Sequence, residues 1–176
     1  MPPEAQHLEA LSRSEILETP LAEVFDRIAR IATGIFAVPI ATISLFEEAR
    51  AWMQSRYSLD FLKIPPEWDF MAHTPREDCV RIIKDARADV RFASVPLVTG
   101  PPHIRFYASA PLVSRDGYKL GALCILDTAA RAEFDLVQWR ALADLADTTM
   151  DAIELRTAGR AALERLASLS KLRVVR

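Results

Sequence analysis

The sequence is poor in the residues that build several common kinds of functional site. Its 176 residues include two cysteines, Cys79 and Cys124, which are too few for a disulfide scaffold. Its five glycines form no glycine-rich loop that could cradle a phosphate. The three histidines, His7, His73 and His103, stand far apart, with no cysteine or carboxylate at metal-ligand spacing. We therefore expect no disulfide scaffold, no P-loop nucleotide site and no zinc or iron centre.

Extremes of charge and of hydrophobicity are missing as well. The net charge of −2 gives no strong electrostatic field that would favour nucleic acid. The apolar runs are only a few residues long, far below the roughly 20 residues that span a bilayer. The first ten residues, MPPEAQHLEA, lack the basic stretch and apolar core of a secretory signal. We expect a cytoplasmic protein without a membrane or nucleic-acid partner.

What the sequence does have is a regular succession of helix and strand patterns. Helical patterns cover 4–17, 20–38 and about 131–170, and strand patterns cover 38–46, 51–57, 79–84, 104–114 and 118–127. Gly117 follows Asp116 between the last two strands, where it supplies the positive φ of a tight hairpin. Hairpin-linked strands with helices gathered at the ends predict an α+β fold.

Alternation along the strands predicts what each face of the sheet meets. In the strand at 38–46 the apolar side chains Ala41, Ile43 and Leu45 share one face, which should meet the helices. Thr42 and Ser44 share the other face, which should meet the irregular segments. Small residues in the last two strands predict room for a cavity above the sheet: Ala108, Ala110, Ala122 and Cys124.

The helical segments also carry apolar stripes. In the helix after Pro20 the stripe consists of Val24, Phe25, Ile28, Ile31 and Ile35. The long C-terminal helix carries two stripes about 100° apart, one with Phe134, Val137, Ala141 and Leu145, and one with Leu142, Ala146, Met150 and Ile153. A surface helix needs one such stripe, so we predict that this helix also forms a dimer. The predicted interface consists of Leu8, Leu11, Leu142, Ala146, Met150 and Ile153.

Five segments, in this order, resemble a GAF domain of the bacterial signalling type. They are ILETP at 16–20, the strand at 38–45, the connection at 85–98, IRFYASAPL at 104–112 and GALCILD at 121–127. The resemblance implies a GAF/PAS-like antiparallel sheet of five to six strands, with terminal helices on one face and loops around a pocket on the other. We expect an N-terminal helix at 1–18, the GAF domain at 19–155 and a basic helical extension at 156–176.

GAF domains bind cyclic nucleotides, tetrapyrroles or other small molecules, or bind nothing and pair subunits. The residues expected near the pocket are Trp52, Tyr57, Trp68, Phe70, Met71, His73, Arg76, Asp85, Arg91, Arg105, Phe106, Tyr107 and Cys124. Asp85 and the arginines could instead tie the loops down through ion pairs. Related sequences often carry a cysteine where this one has Met71. A thioether cannot attack a bilin as a thiolate does, so we predict no covalent bilin there.

The resemblance leaves three functions open. The leading one is a non-catalytic sensory homodimer that signals to a partner such as a kinase or a cyclase. The second is a ligand-free dimerisation or adaptor domain, whose pocket would be filled by Trp68, Met71 and Phe106. The third is reduction of free methionine sulfoxide, which needs two thiols within reach, whereas this chain has one loop-side cysteine, Cys79. The basic extension favours an exposed helix leading to a partner over a nucleic-acid or membrane site.

Overall fold

The computed structural model describes residues 20–47, 50–57, 70 and 79–173. In chain order its elements are helix α1 (Pro20–Phe36), strands β1 (Ile40–Glu47), β2 (Arg50–Tyr57) and β3 (Arg81–Ile83), the short helix α2 (Pro96–Thr99), strands β4 (Phe106–Val113) and β5 (Lys119–Asp127), and helix α3 (Leu136–Arg173). In these ranges, no helix is long and apolar enough to cross a membrane. The helix predicted at 4–17, with Leu8 and Leu11, lies outside the described residues.

The strands in the described ranges form one antiparallel sheet in the order β2-β1-β5-β4-β3. This confirms the predicted α+β fold. The β4–β5 turn has Gly117 at φ 82°, and its N–H donates to the Ser114 carbonyl at 2.8 Å. In the centre of the sheet β1 and β5 approach so closely that a Cβ on Gly121 would overlap the Ser44 carbonyl oxygen. Only glycine fits there.

Each face of the sheet carries its own buried cluster. On the helix face, β1, β4 and β5 pack against α1 and α3 through Ala41, Ile43, Phe106, Ala108, Ala110, Leu112, Leu123 and Ile125. On the opposite face, which we call the loop face, Ile40, Tyr107, Ala122, Cys124 and Leu126 pack against the segment between β3 and β4. The predicted division of helices and loops between the two faces is confirmed.

The four small residues of β4 and β5 do not share a face. Ala108 and Ala110 pack under the helices, whereas Ala122 and Cys124 lie on the loop face. The register explains the difference, because Ala108 pairs with Ile125 rather than with Cys124. Paired residues share a face and successive residues alternate. The prediction that these four residues together leave room for a cavity on one face of the sheet is therefore wrong.

Helix α1 packs on the sheet through a stripe that differs from the predicted one. Its buried side chains are Phe25, Ile28, Ala29, Ala32 and Phe36. Ile31 and Ile35, which the sequence placed on the same stripe, are 43% and 53% exposed. The helix ends with a left-handed residue, Ala37, at φ 48°, and the Val38 N–H donates to the Thr33 carbonyl at 3.2 Å, which is a Schellman-type end.

Helix α3 begins with a capping box. The Gln138 N–H donates to Asp135 Oδ1 at 2.8 Å, and the Asp135 N–H donates to Gln138 Oε1 at 3.0 Å. The helix then continues without a break across the predicted boundary at 155. These two hydrogen bonds fix the residue at which α3 begins.

The residues of α3 that were predicted to form the dimer interface are buried in their own chain. Leu142, Ala146, Met150 and Ile153 are at most 4% exposed and belong to the helix-face cluster. Both stripes had the same spacing, and only the packing against the sheet shows which one is internal. The placement of these four residues at a dimer interface was therefore wrong.

One arginine joins the ends of three elements at one side of the sheet. The Arg131 guanidinium donates to the Phe36 and Ala37 carbonyls, at 2.8 and 2.7 Å, and to Asp127 Oδ2 at 2.9 Å. It also lies 5.0 Å from the centre of the Phe106 ring. Arginine satisfies helix C-terminal carbonyls in this way, so Arg131 links the end of α1 and the end of β5 to the segment before α3.

Candidate functional site

A row of buried polar side chains crosses the loop face of the sheet. The register places Arg81 opposite Ser109, Ser109 opposite Cys124, and Cys124 opposite Thr42, on four adjacent strands. Thr42, Ser109 and Arg81 are only 4%, 7% and 8% exposed. Ser44 lies two residues along β1, on the same face, and is also buried. The loop face therefore has a polar floor inside an otherwise apolar cluster.

The hydroxyl groups on this floor differ from the other buried hydroxyl groups. Thr149 donates to the Leu145 carbonyl at 2.7 Å, and Ser114 Oγ accepts from the Tyr118 N–H at 3.1 Å. The structure shows no hydrogen bond from Thr42, Ser44 or Ser109 side chains to any other described residue. A hydroxyl group can both donate and accept a hydrogen bond, so these three groups are suited to meet a polar molecule.

An aromatic stack lies beside the polar floor. The Phe70 ring lies between those of Phe92 and Tyr107, with centroid distances of 5.2 and 4.8 Å and interplanar angles of 13° and 14°. The Tyr107 hydroxyl lies 3.5 Å from Cys124 Sγ. These buried rings form one wall of the loop face and occupy part of the space above β4.

An ion pair fastens the loop after β3 to the start of β4. Arg105 donates from Nε and Nη2 to the two carboxylate oxygens of Asp85, at 2.7 and 2.6 Å. These hydrogen bonds are the main cause that lowers the pKa of Asp85 to about 2, while burial opposes the shift and the Arg87 N–H reinforces it. The Ala86 N–H also donates to the Arg105 carbonyl. The pair therefore acts as a brace at the edge of the loop face.

A second ion pair lies close to the buried arginine of the polar floor. Arg91 donates to both oxygens of Asp89, at 2.9 and 2.6 Å, and these bonds lower the pKa of Asp89 and raise that of Arg91. Burial is the main cause that lowers the pKa of Arg81, with a further contribution from the Arg91 charge. Electrostatic interactions with Tyr107 and Asp89 oppose this shift and raise the pKa of Arg81. The floor thus ends in a cluster of charges at β3.

The structure brings together only part of the predicted site. Phe70, Tyr107 and Cys124 meet on the loop face, and Asp85, Arg91 and Arg105 form ion pairs at its edge. Phe106 lies on the other face, between Phe134 and Arg131, so its predicted place in the pocket is wrong. Trp52 and Tyr57 belong to β2, whose side chains are not described. Trp68, Met71, His73 and Arg76 lie outside the described residues.

Sequence reasoning missed two members of the polar floor. Arg81 alternates with Val80 and Ile82, which pack towards the helix face, so period-2 alternation could have placed Arg81 on the loop face. Ser109 alternates in the same way with Ala108 and Ala110. In the described ranges, no group of histidine, cysteine and acidic residues is arranged to hold a metal ion.

Comparisons with known proteins agree with this architecture. A cyclic di-GMP phosphodiesterase of Pseudomonas aeruginosa is 40% identical over 116 residues, which cover 66% of this chain and 20% of that protein. This chain therefore spans about a fifth of that relative's length.

Two solved structures share the fold. The PixJ GAF domain of Thermosynechococcus elongatus, in its blue-light absorbing form, superimposes with a TM-score of 0.65 at 14% sequence identity. The match covers 89% of this chain and 96% of that domain. The type II free methionine-R-sulfoxide reductase of Thermoplasma acidophilum superimposes with a TM-score of 0.62 at 11% sequence identity. The match covers 78% of this chain and 94% of the reductase. The model of the GAF domain family matches residues 20–153, and the chain belongs to this family.

Proposed function

We propose that the chain is a non-catalytic regulatory module that binds a small molecule on the loop face and signals through α3 as a homodimer. The observation that carries the binding half is the contrast between buried hydroxyl groups. Those of Ser114 and Thr149 have hydrogen-bond partners, whereas the structure shows none for those of Thr42 and Ser109 within its described part. A bound molecule with polar edges would satisfy both.

The chemistry of the loop face favours a flat, polar molecule. Hydroxyl groups line its floor, Tyr107 and Phe70 provide flat aromatic surface, and Arg81 supplies positive charge. Mostly apolar clefts with a few convergent polar groups are typical of ligand sites. A cyclic nucleotide, with an aromatic base and one phosphate charge, fits this combination best among the ligands that GAF domains bind.

The matched relative supports a role in signalling. It is a cyclic di-GMP phosphodiesterase, and the match covers a fifth of its length, as expected for a regulatory segment of a larger enzyme. We propose that this module acts on a signalling enzyme, such as a kinase, a cyclase or a phosphodiesterase of cyclic di-GMP. A ligand shifts such a partner only if it binds one arrangement of the module more tightly than the other.

A thermal-unfolding panel with matched variants tests ligand binding. The full chain is unfolded with saturating cyclic AMP, cyclic GMP, cyclic di-GMP or biliverdin. A ligand at 100 times its Kd adds about 2.7 kcal/mol of stability. Thr42→Val removes a floor hydroxyl at nearly constant shape, so it should leave the free protein at least as stable and reduce the ligand-induced shift.

The control is Thr149→Val, which makes the same change at a hydroxyl that is already hydrogen-bonded. It should lower the stability of the free protein by about 1 kcal/mol and leave the ligand-induced shift unchanged. If none of the four compounds shifts unfolding, or if both variants behave alike, binding at this floor is refuted.

A ligand-free pairing or adaptor domain is the second candidate. One observation favours it: Phe70 fills the space between Phe92 and Tyr107 with the protein's own side chains. This candidate predicts a stable dimer whose thermal unfolding is shifted by none of the four compounds. It also predicts that Phe70→Ala, which opens a cavity, lowers stability by about 3–5 kcal/mol.

The arrangement of the cysteines gives little support to a reductase. Cys79 is exposed and Cys124 is buried in the loop-face cluster, whereas the reaction requires two thiols that can approach each other. We therefore propose that the domain is not an enzyme. Turnover of free methionine sulfoxide that disappears in Cys79→Ser would contradict this.

A further inference from the structure

Residues 128–135, which we call the connector, join β5 to α3 and contact two distant parts of the domain. The Arg131 N–H donates to the carbonyl of Lys84 at 2.9 Å, and Lys84 is the first residue after β3. The Arg131 guanidinium donates in another direction, to the carbonyls of Phe36 and Ala37 at the end of α1. One residue therefore holds the start of the loop region and the end of a helix.

The connector is also joined to the ion pair at the edge of the loop face. Arg105, which pairs with Asp85, donates its N–H to the Asp127 carbonyl at 2.8 Å. The Asp127 carboxylate accepts from the Ala129 N–H at 3.1 Å and from Arg131 at 2.9 Å. A series of hydrogen bonds therefore runs from Asp85 to Arg131.

The two ends of this series differ in their exposure to water. At the outer end, the Asp85 and Arg105 side chains are 29% and 30% exposed. At the inner end, the Asp127 and Arg131 side chains are 14% and 18% exposed. Hydrogen bonds that water can reach open more readily than those it cannot replace. The outer pair can therefore open while the rest of the fold stays intact.

The far end of the connector is packed where α3 begins. The Phe134 ring lies 5.8 Å from that of Phe36 and 5.7 Å from that of Phe106, and Asp135 caps α3. The chain from Arg131 to Asp135 spans at most about 14 Å. Because protein interiors are close-packed and transmit displacements, a shift of Arg131 would reach the first turn of α3.

We propose that the connector couples residues 84–105, which we call the loop segment, to both helices. Opening or closing of the Asp85–Arg105 pair would then change how the end of α1 and the start of α3 pack. This inference rests on the proposed function and deepens it, because it states how a molecule on the loop face would act on α3. Such a molecule would act by binding more tightly when the pair is closed.

Amide exchange of the ligand-free full chain, followed by NMR, tests the coupling. Asp85→Asn removes the charge of the carboxylate and so weakens the outer pair. It should speed exchange of the Arg131 and Val38 amides about tenfold relative to the Leu123 amide, which is within the range for coupled neighbours. Leu123 lies in the centre of the sheet, paired with Ala110, where exchange reports unfolding of the whole domain.

Asp89→Asn is the matched control. It makes the same substitution four residues further along the loop segment, in the pair with Arg91. The hydrogen bonds that the structure shows for Asp89 stay within the loop segment. The relative exchange of the Arg131 and Val38 amides should therefore remain within about twofold of that in the unaltered protein.

The reverse experiment starts from the connector. Arg131→Lys keeps the positive charge but cannot reproduce the fork of guanidinium hydrogen bonds. Because coupling between two sites is reciprocal, this change should speed exchange of the Ala86 amide, which donates to the Arg105 carbonyl at 2.6 Å. The expected increase relative to Leu123 is about fivefold or more.

Two results would overturn the proposal. One is an equal effect of Asp85→Asn and Asp89→Asn on the connector. The other is faster exchange that stays within the loop segment in Asp85→Asn and within the connector in Arg131→Lys. These measurements use no ligand, so they can fail while the thermal-unfolding panel still shows binding. Coupling found together with no ligand-induced shift would support the connector and refute only the binding half of the proposed function.

Discussion

Replacing Arg131 by alanine should destabilise the domain more than any comparable surface change. The side chain donates to the Phe36 and Ala37 carbonyls and to Asp127, at 2.7–2.9 Å. It also covers the Phe106 ring. Its loss leaves the end of α1 and the Asp127 carboxylate without their shared partner.

The size of the effect follows from burial. The Arg131 and Asp127 side chains are only 18% and 14% exposed, so water cannot fully replace the lost bonds. A hydrogen bond between neutral groups contributes about 1 kcal/mol, and one to a charged group about 1.5–3 kcal/mol. Allowing for the coupling between these contacts, we expect the free energy of unfolding to fall by about 3 kcal/mol.

Urea unfolding of the full chain measures this value, at one protein concentration because dimer stability depends on concentration. The matched control is Arg115→Ala. Arg115 also pairs with two acids, Asp151 and Glu154, but its side chain is 82% exposed. Exposed pairs contribute about 0–1 kcal/mol, so the control should change little. Equal losses in the two variants would refute the role assigned to the Arg131 junction.

Other single substitutions should raise or lower the stability of the domain in a direction that follows from the local structure. Gly121→Ala should lower the free energy of unfolding by more than about 2 kcal/mol or prevent folding, because the added Cβ would overlap the β1 backbone. Gly34→Ala, in open space within α1, should instead raise the free energy of unfolding by about 0.5–1 kcal/mol. Similar losses of stability in the two variants would contradict the close approach of β1 and β5 at Gly121. Ala37→Gly should raise stability by about 1 kcal/mol, because Ala37 is left-handed, and chemical denaturation checks this. The pKa of Asp85 is lowered to about 2, chiefly by Arg105, so its contribution is complete above its unfolded value of about 3.9 and is lost as pH falls towards 2. Asp85→Asn should therefore be less stable than the unaltered protein at pH 7 and match it near pH 2, and a constant difference across that range would contradict this.

The sheet could be predicted from the sequence because its signals are local. Alternation of Ala41 and Ile43 with Thr42 and Ser44 gave the two faces of β1, and Asp116-Gly117 gave the central hairpin. Both depend on period-2 geometry and turn chemistry within a few residues. The order of the motifs then led to the correct family.

The helix faces could not be assigned in the same way. Ile31 and Ile35 repeat at helical spacing as well as Phe25 and Ile28 do, yet only the latter pair is buried. In α3 the two stripes look alike in the sequence, which does not show that Leu142 and Met150 are fully buried whereas Leu145 is only partly buried beside them. The choice is made by packing against strands that lie far away along the chain, so periodicity identifies two candidates and tertiary structure selects one.

The candidate site was predicted in part for a related reason. Tyr107 and Cys124 were placed near the pocket, and Asp85 with Arg105 was recognised as a possible loop tie. Phe106 was assigned to the wrong face because the register of β4 was not followed residue by residue. Following the same alternation would have added Ser109 in its place.

Hydrogen exchange of the full chain tests most directly whether the loop face controls α3. Exchange is measured with and without the panel compound that stabilises the protein most. We expect slower exchange in β3 and in the segment 85–105, together with altered exchange along the exposed part of α3, because ligand binding and helix arrangement are coupled. Slower exchange at the loop face with no change in α3, or no change at either place, would contradict it.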